Sequence, residues 1–350
     1  MTDEILAFTE GKVGRLRLNR PKALHALNEA MCRTMIDALL AWRADPGVEL
    51  VLLDHAEGRG FCAGGDVRAV AESGKGDGEA ARAFFYTEYQ LNHLLFTYAK
   101  PVVSFLDGIV MGGGVGIGLP GRYRIATERT VFAMPEATIG LFPDVGGGWY
   151  LSRLPGRLGQ YLALTAARLD GADMMSVGLA THYATSAKLD EMKVWMIERP
   201  VRELETILEG MADVPGDGSI LDRRAEIDRL FAADTLEDIL AGLEADPGEW
   251  AQTVLEGLRT KSPQSCKVAL RQLREGALRT DFAEEMRVEY GLAAHVSMRH
   301  DFIEGVRALL VDKDNAPVWD PATPESVTDS MLDRIFAALP EDEQWQPLRL

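Results

Sequence analysis

Two carboxylates stand eight residues apart in a stretch otherwise dominated by apolar residues and glycine. Glu136 follows the run Val131-Phe132-Ala133-Met134-Pro135, and Asp144 sits inside Gly140-Leu141-Phe142-Pro143-Asp144-Val145-Gly146-Gly147-Gly148. Withdrawing a carboxylate from water raises its pKa, so this pair suits proton transfer, or attack on a carbonyl, near neutral pH. The competing reading makes both of them helix caps, and Asp144 ahead of Val145-Gly146-Gly147 has the type and place of an N-cap. A third carboxylate, Glu88, lies on or near the stripe of Phe84, Phe85, Leu91 and Leu95. Periodicity alone reads it as a rim residue whose stem packs while its carboxylate stays wet.

Two glycine loops offer the complementary chemistry. Gly60-Phe61-Cys62-Ala63-Gly64-Gly65-Asp66 and Met111-Gly112-Gly113-Gly114-Val115-Gly116 each follow an apolar run and open onto a helix. Around Gly65 and Gly113, unpaired backbone N–H groups at a helix N-terminus would face outward and suit an oxyanion or a phosphate. Glycine serves close backbone packing equally well, and the loops taken singly leave that alternative open. Gly116-x-Gly118-x-x-Gly121 fits the dinucleotide fingerprint letter for letter, but Pro120 interrupts it and residues 123–127 read as a strand, so that reading is rejected. The chain has no G-x-S-x-G elbow and no H-E-x-x-H, and its six histidines are scattered. Serine-hydrolase and zinc-peptidase chemistry therefore lack their residues, and no metal is expected.

The elements that must position these groups follow from the patterning. Residues 5–10 and 15–20 alternate around a Gly-Lys-Val-Gly turn and predict a hairpin. Asn28 should cap a helix through Trp42, residues 50–54 a strand, and Asp66 should cap the helix after the first glycine loop. A long helix to about residue 98, then strands over 101–106, 123–127 and 131–134, complete a half in which strands and helices alternate, which is the mark of an α/β fold. After Val145 the pattern is mostly helical, with a short strand over 182–185 and helices from Ser262 or Thr260 to Gly276, over 281–297 and over 302–310.

Composition limits the partners. With 350 residues, 47% of them hydrophobic, the chain can bury a large core, while a formal charge of −17 repels nucleic acid and anionic lipid. Cys32, Cys62 and Cys266 are odd in number and far apart, which points to a reducing interior instead of a disulfide framework. The acidic opening MTDEILAFTE and the lack of a long apolar window lead to an expectation of a cytoplasmic protein with no membrane span.

Three motifs in order, Asn19-Arg20-Pro21-Lys22-Ala23-Leu24, Phe61-Cys62-Ala63-Gly64-Gly65-Asp66 and Asp107-Gly108-x-x-x-Gly112-Gly113-Gly114, resemble the signatures of the crotonase (enoyl-CoA hydratase/isomerase) superfamily. The resemblance covers about the first 200 residues. It implies a spiral of stacked ββα/βαβ units over residues 1–200 that binds acyl-CoA, followed by a helical region over 201–350. It further implies that the Gly65 and Gly113 amides hold the thioester oxygen and that Lys22, Ala23, Leu24, Ala63 and Gly65 contact CoA, which is part of the substrate, with no separate cofactor. A homo-oligomer is allowed, with the oligomeric state left open.

Within that superfamily carboxylates select the reaction, and here Gly116 stands where a hydratase carries its first catalytic Glu, while Glu136 matches the second. Asp144 replaces a hydratase Gly. The stretch around it, and the C-terminal Arg299-His300-Asp301-Phe302-Ile303-Glu304-Gly305-Val306-Arg307 with Pro317-Val318-Trp319, resemble the thioester-hydrolase branch. Glu88, Gly113, Glu136 and Asp144 match that branch's substrate-site positions. The implied reaction is hydrolysis of 3-hydroxyisobutyryl-CoA to 3-hydroxyisobutyrate and CoA, a step of valine breakdown, with Glu136 as base or nucleophile. The rivals are a dienoyl-CoA isomerase, a hydratase, and a non-catalytic CoA- or RNA-binding relative. The C-terminal segment and Gly148-Trp149-Tyr150 favour the hydrolase, and the acidic balance disfavours RNA.

Overall fold

The computed structural model describes residues 3–349. The alternating first segment pairs as an antiparallel hairpin, β1 (Ile5–Glu10) with β2 (Val13–Leu18). The second strand starts at Val13, two residues before its expected start, because Gly11 alone supplies the left-handed turn at φ +57°. Helix α1 (Glu29–Ala44) follows, with Asn28 accepting the Met31 N–H at 2.9 Å as its cap, as expected.

From there the chain winds as a spiral in which each turn gives one strand to each of two sheets. The turns are β3 (Leu50–His55) with β4 (Gly60–Cys62), then α2 (Val67–Gly74) and α3 (Glu79–Phe96); β5 (Val102–Leu106) with β6 (Ile109–Met111), then α4 (Gly113–Gly118); and β7 (Tyr123–Ala126) with β8 (Val131–Ala133). Two short strands, β9 (Leu169–Asp170) and β10 (His182–Tyr183), complete the sheets. The larger sheet has the order β1-β2-β3-β5-β7-β10, parallel beyond the hairpin, and the smaller has the order β4-β6-β8-β9. Strands β4 and β6 lie where the sequence suggested only glycine loops.

A parallel sheet is covered on both faces, so its strands read as unbroken apolar runs. Leu50, Leu52, Val103, Phe105 and Ile125 pack against Leu189, Met192, Ile207 and Leu208 from helices Leu189–Glu198 and Leu204–Met211. The opposite faces belong to one larger core that runs from Ile5 to Trp345. From Ser186 onward the described chain is helices and turns. Three of these helices return to the spiral: Pro263–Gly276 packs on α5 (Gly147–Leu151), Phe282–Val296 on α3, and His300–Val306 on α2 and the turn Glu136–Ile139.

One expected cap is replaced. Asp66 stands at the N-cap position of α2, but its side chain bonds no helix N–H; it takes the Arg20 guanidinium at 2.9 Å, tying the first glycine loop to the turn of chain that precedes α1.

Candidate active site

At the C-terminal ends of β4 and β6, parallel neighbours in the smaller sheet, the two glycine loops come into contact. A Cβ built on Gly113 would lie 3.2 Å from Gly65 N, and one on Gly112 would lie 3.3 Å from Gly64 Cα, so only glycine lets these backbones approach so closely. Gly113 is the first residue of α4, where a helix has no use for the N–H. Neither the Gly113 nor the Gly65 N–H donates to an acceptor among the described residues. Two free donors at one junction form an oxyanion-binding pair of the kind that stabilises a tetrahedral intermediate.

The junction opens into a cavity of about 560 Å³ whose lining includes Gly65, Gly113, Glu88, Glu136 and Asp144. All three carboxylates are buried, at 2%, 4% and 5% exposure for Glu88, Glu136 and Asp144. The rim reading of Glu88 is thus overturned, because its carboxylate is held over the Gly113 loop inside the cavity, Oε1 lying 2.6 Å from a Cβ built there. The capping reading of the other pair also fails. Glu136 starts a 3₁₀ turn without capping it, and helix α5 is entered through Gly146, while the Asp144 carboxylate accepts from the Tyr89 hydroxyl at 2.9 Å.

Burial, reinforced by Asp144, holds both Glu88 and Glu136 well above the usual carboxyl range. Asp144 itself is pushed up to about 7 by burial, against the pull of the Tyr89 hydrogen bond. Glu88 Oε1 and Glu136 Oε2 are buried and take no hydrogen bond among the described residues. Both stand over the second glycine loop, Glu136 Oε1 being 3.2 Å from a Cβ built on Gly112 and Glu88 Oε1 2.6 Å from one built on Gly113. An acyl carbon whose oxygen sits on the two amides therefore lies close to desolvated carboxyls.

Sequence reasoning missed several residues in the cavity wall or behind it. Tyr89 looks like any apolar helix position, and Leu309 and Leu310 come from the far C-terminal end to line the same cavity. Lys261 also reaches it, donating to Thr138 Oγ1 at 2.9 Å, and burial lowers its ammonium. Of the expected CoA contacts, Ala63 and Gly65 line the cavity, whereas Lys22, Ala23 and Leu24 do not. Lys22 and Ala23 belong to the 3₁₀ turn Pro21–Ala23, and Leu24, which ends it left-handed at φ +49°, accepts the Ala63 N–H at 3.0 Å.

A family model described as enoyl-CoA hydratase/isomerase matches residues 13–336. The chain belongs to the enoyl-CoA hydratase/isomerase family. Within this family it is 42% identical to "3-hydroxyisobutyryl-CoA hydrolase, mitochondrial" of Danio rerio, over 97% of this chain and 90% of that one. It is 41% identical to "Probable 3-hydroxyisobutyryl-CoA hydrolase 3" of Arabidopsis thaliana, over 99% and 95%. Among solved structures, a carnitinyl-CoA dehydratase from Mycobacterium thermoresistibile superposes with a TM-score of 0.93 at 41% identity, covering 97% of this chain and 98% of that one. At Gly116, the position that the family resemblance gives to a hydratase's first carboxylate, the space for a side chain is closed. A Cβ on Gly116 would lie 2.6 Å from Val145 Cβ and 2.7 Å from Asn92 Nδ2.

Proposed function

We propose that the protein hydrolyses the thioester of 3-hydroxyisobutyryl-CoA, consuming water and releasing 3-hydroxyisobutyrate and CoA thiol. The observation that carries this reading is the pairing of one unpartnered, desolvated Glu136 beside two free amides with a filled Gly116 slot. A desolvated carboxyl next to an oxyanion pair suits acyl transfer, and the slot that the family resemblance gives to a hydratase's first carboxylate is filled. The curated relatives' names point the same way.

In this reading the thioester oxygen accepts from Gly65 and Gly113, a contribution that typically amounts to about 2.7–4 kcal/mol per donor. Glu136 either takes a proton from the attacking water or attacks the carbonyl carbon itself, giving a mixed anhydride that water then opens. Both routes expel the CoA thiolate, which leaves as thiol once protonated. Asp144, backed by Tyr89, accepts the 3-hydroxyl of the acyl group, and Glu88 borders the same acyl end. Ala63, Gly65 and the turn of Lys22, Ala23 and Leu24 lead toward the rest of CoA. Three free, buried cysteines suit a reducing compartment, and we place the protein in the cytoplasm on that ground.

A panel of acyl-CoA and enoyl-CoA esters, followed for free thiol and for loss of olefin absorbance, tests the reading. Rapid thiol release from the 3-hydroxy ester with no change in olefins is the expected result. Hydration of an enoyl ester without thiol release, the kind of chemistry for which the dehydratase relative is named, overturns it. Single turnover in ¹⁸O-water detects the anhydride route with water attacking the Glu136 carbonyl, since that path alone places label in the protein.

A further inference from the structure

We infer that Glu289 is a positioning residue that clamps the loop carrying Asp144 in the form that presents this carboxylate to the acyl group. Val145, immediately after Asp144, has φ +53°. A β-branched residue rarely enters that left-handed region, and it stays there only where the surroundings hold it.

The hold comes from two C-terminal helices. Glu289 Oε2 accepts the Gly146 N–H at 2.7 Å and Oε1 accepts the Gly148 N–H at 3.0 Å. Gln272 Nε2 bonds both Glu289 Oε1 at 3.1 Å and the Pro143 carbonyl at 2.8 Å. The backbone is therefore gripped on both sides of Asp144-Val145, by Pro143 before and Gly146 after. Glu289 is fully buried and is not part of the cavity wall, so any effect on substrate must pass through the loop. The grip has two results. Asp144 points at the cavity with Tyr89 behind it, and Val145 is turned over Gly116, filling the slot a second carboxylate would need.

This inference rests on the proposed contact between Asp144 and the substrate's 3-hydroxyl, and the experiment separates the two. Glu289→Gln keeps the side-chain shape but turns an NH₂ toward one of three N–H donors, breaking the grip. The ratio of kcat/KM for 3-hydroxyisobutyryl-CoA to that for isobutyryl-CoA is measured in wild type, Glu289→Gln, Asp144→Gly and the double variant, with circular dichroism as a check on folding. Glu289→Gln should lower kcat/KM for the hydroxylated ester about tenfold to a hundredfold, change the plain ester far less, and add nothing further to Asp144→Gly in the double variant. Equal losses on both esters would mark Glu289 as merely structural and overturn the inference. A ratio that narrows in Asp144→Gly but not in Glu289→Gln overturns the clamp alone. A ratio that survives Asp144→Gly overturns the Asp144 assignment and the clamp's role with it. Should Glu289→Gln fail to fold, Gln272→Ala removes the other half of the grip, and a wild-type ratio in that variant overturns the inference.

Discussion

The Tyr89 hydroxyl donates to Asp144 Oδ2 at 2.9 Å from the fully buried face of α3, one residue after Glu88. A neutral donor of this kind stabilises the ionised carboxylate, and it is the one side-chain contact that opposes the effect of burial on Asp144.

Removing it should move the pH profile in a known direction. With Tyr89→Phe the ionised form of Asp144 loses its donor, so its pKa rises above the present value of about 7. The acid limb of kcat/KM for the hydroxylated ester should shift to higher pH by about one unit, since a hydrogen bond to a charge contributes about 1.5–3 kcal/mol. The check is a pH–rate profile of both proteins. An unmoved limb would mean that Asp144 does not govern it.

Glu136→Gln should abolish hydrolysis while making the fold more tolerant of alkali. The folded state holds the Glu136 proton more tightly than the unfolded chain does, because burial raises its pKa. Stability attributable to this group is therefore present at low pH and lost as pH rises above the unfolded value of about 4.3. The variant should melt above the wild type at pH 8, by about 1–2 °C for each kcal/mol recovered, and the difference should vanish near pH 4. Calorimetry at both pH values tests the sign.

Alanine scanning of the two amide-bearing glycines should give unequal results. A Cβ on Gly113 meets Glu88 Oε1 at 2.6 Å and backbone at 3.1 Å, whereas one on Gly65 meets the edge of the Phe84 ring at 3.0 Å, and a ring can swing away. Gly113→Ala should cost about 10²-fold in kcat and Gly65→Ala clearly less. Replacing either by proline deletes the donor and should cost about 10²–10³-fold. Steady-state kinetics on the folded variants decide the order.

Gly116→Glu should not create a hydratase. The new side chain would collide with Val145 and Asn92, so the expected outcome is lowered stability and no water addition to an enoyl ester. Measurable hydration in this variant would show that the loop yields more easily than its grip suggests.

Much of the fold could be read from local pattern. Asn28 and Ser262 both cap the helices assigned to them, and the apolar run of β5 lies within the span expected. Strands β4, β6 and β9 could not be read, because each has three residues or fewer and exists only through pairing with segments far along the chain. At the site, Glu136, Asp144, Gly65 and Gly113 were legible by type and neighbours. Glu88 was legible only through the family resemblance, since periodicity shows which face turns inward but not that a glycine loop will pack against its carboxylate. Glu289 carries a signal of its own: it shares a helix face with Phe282, Met286 and Ala293, where a carboxylate needs donors from elsewhere. Those donors lie about 140 residues earlier in the chain, at Gly146 and Gly148.

Leu309 and Leu310, in the π-helical turn Arg307–Val311, close the cavity from the same chain that supplies its glycines, and Arg68 on α2 ties that turn down through the Leu310 carbonyl. An enzyme that borrowed this wall from a second copy would lose turnover per molecule as the copies were diluted apart. Here that wall belongs to the same polypeptide as the glycines, so dilution from micromolar to nanomolar protein should not strip it from the acyl chamber.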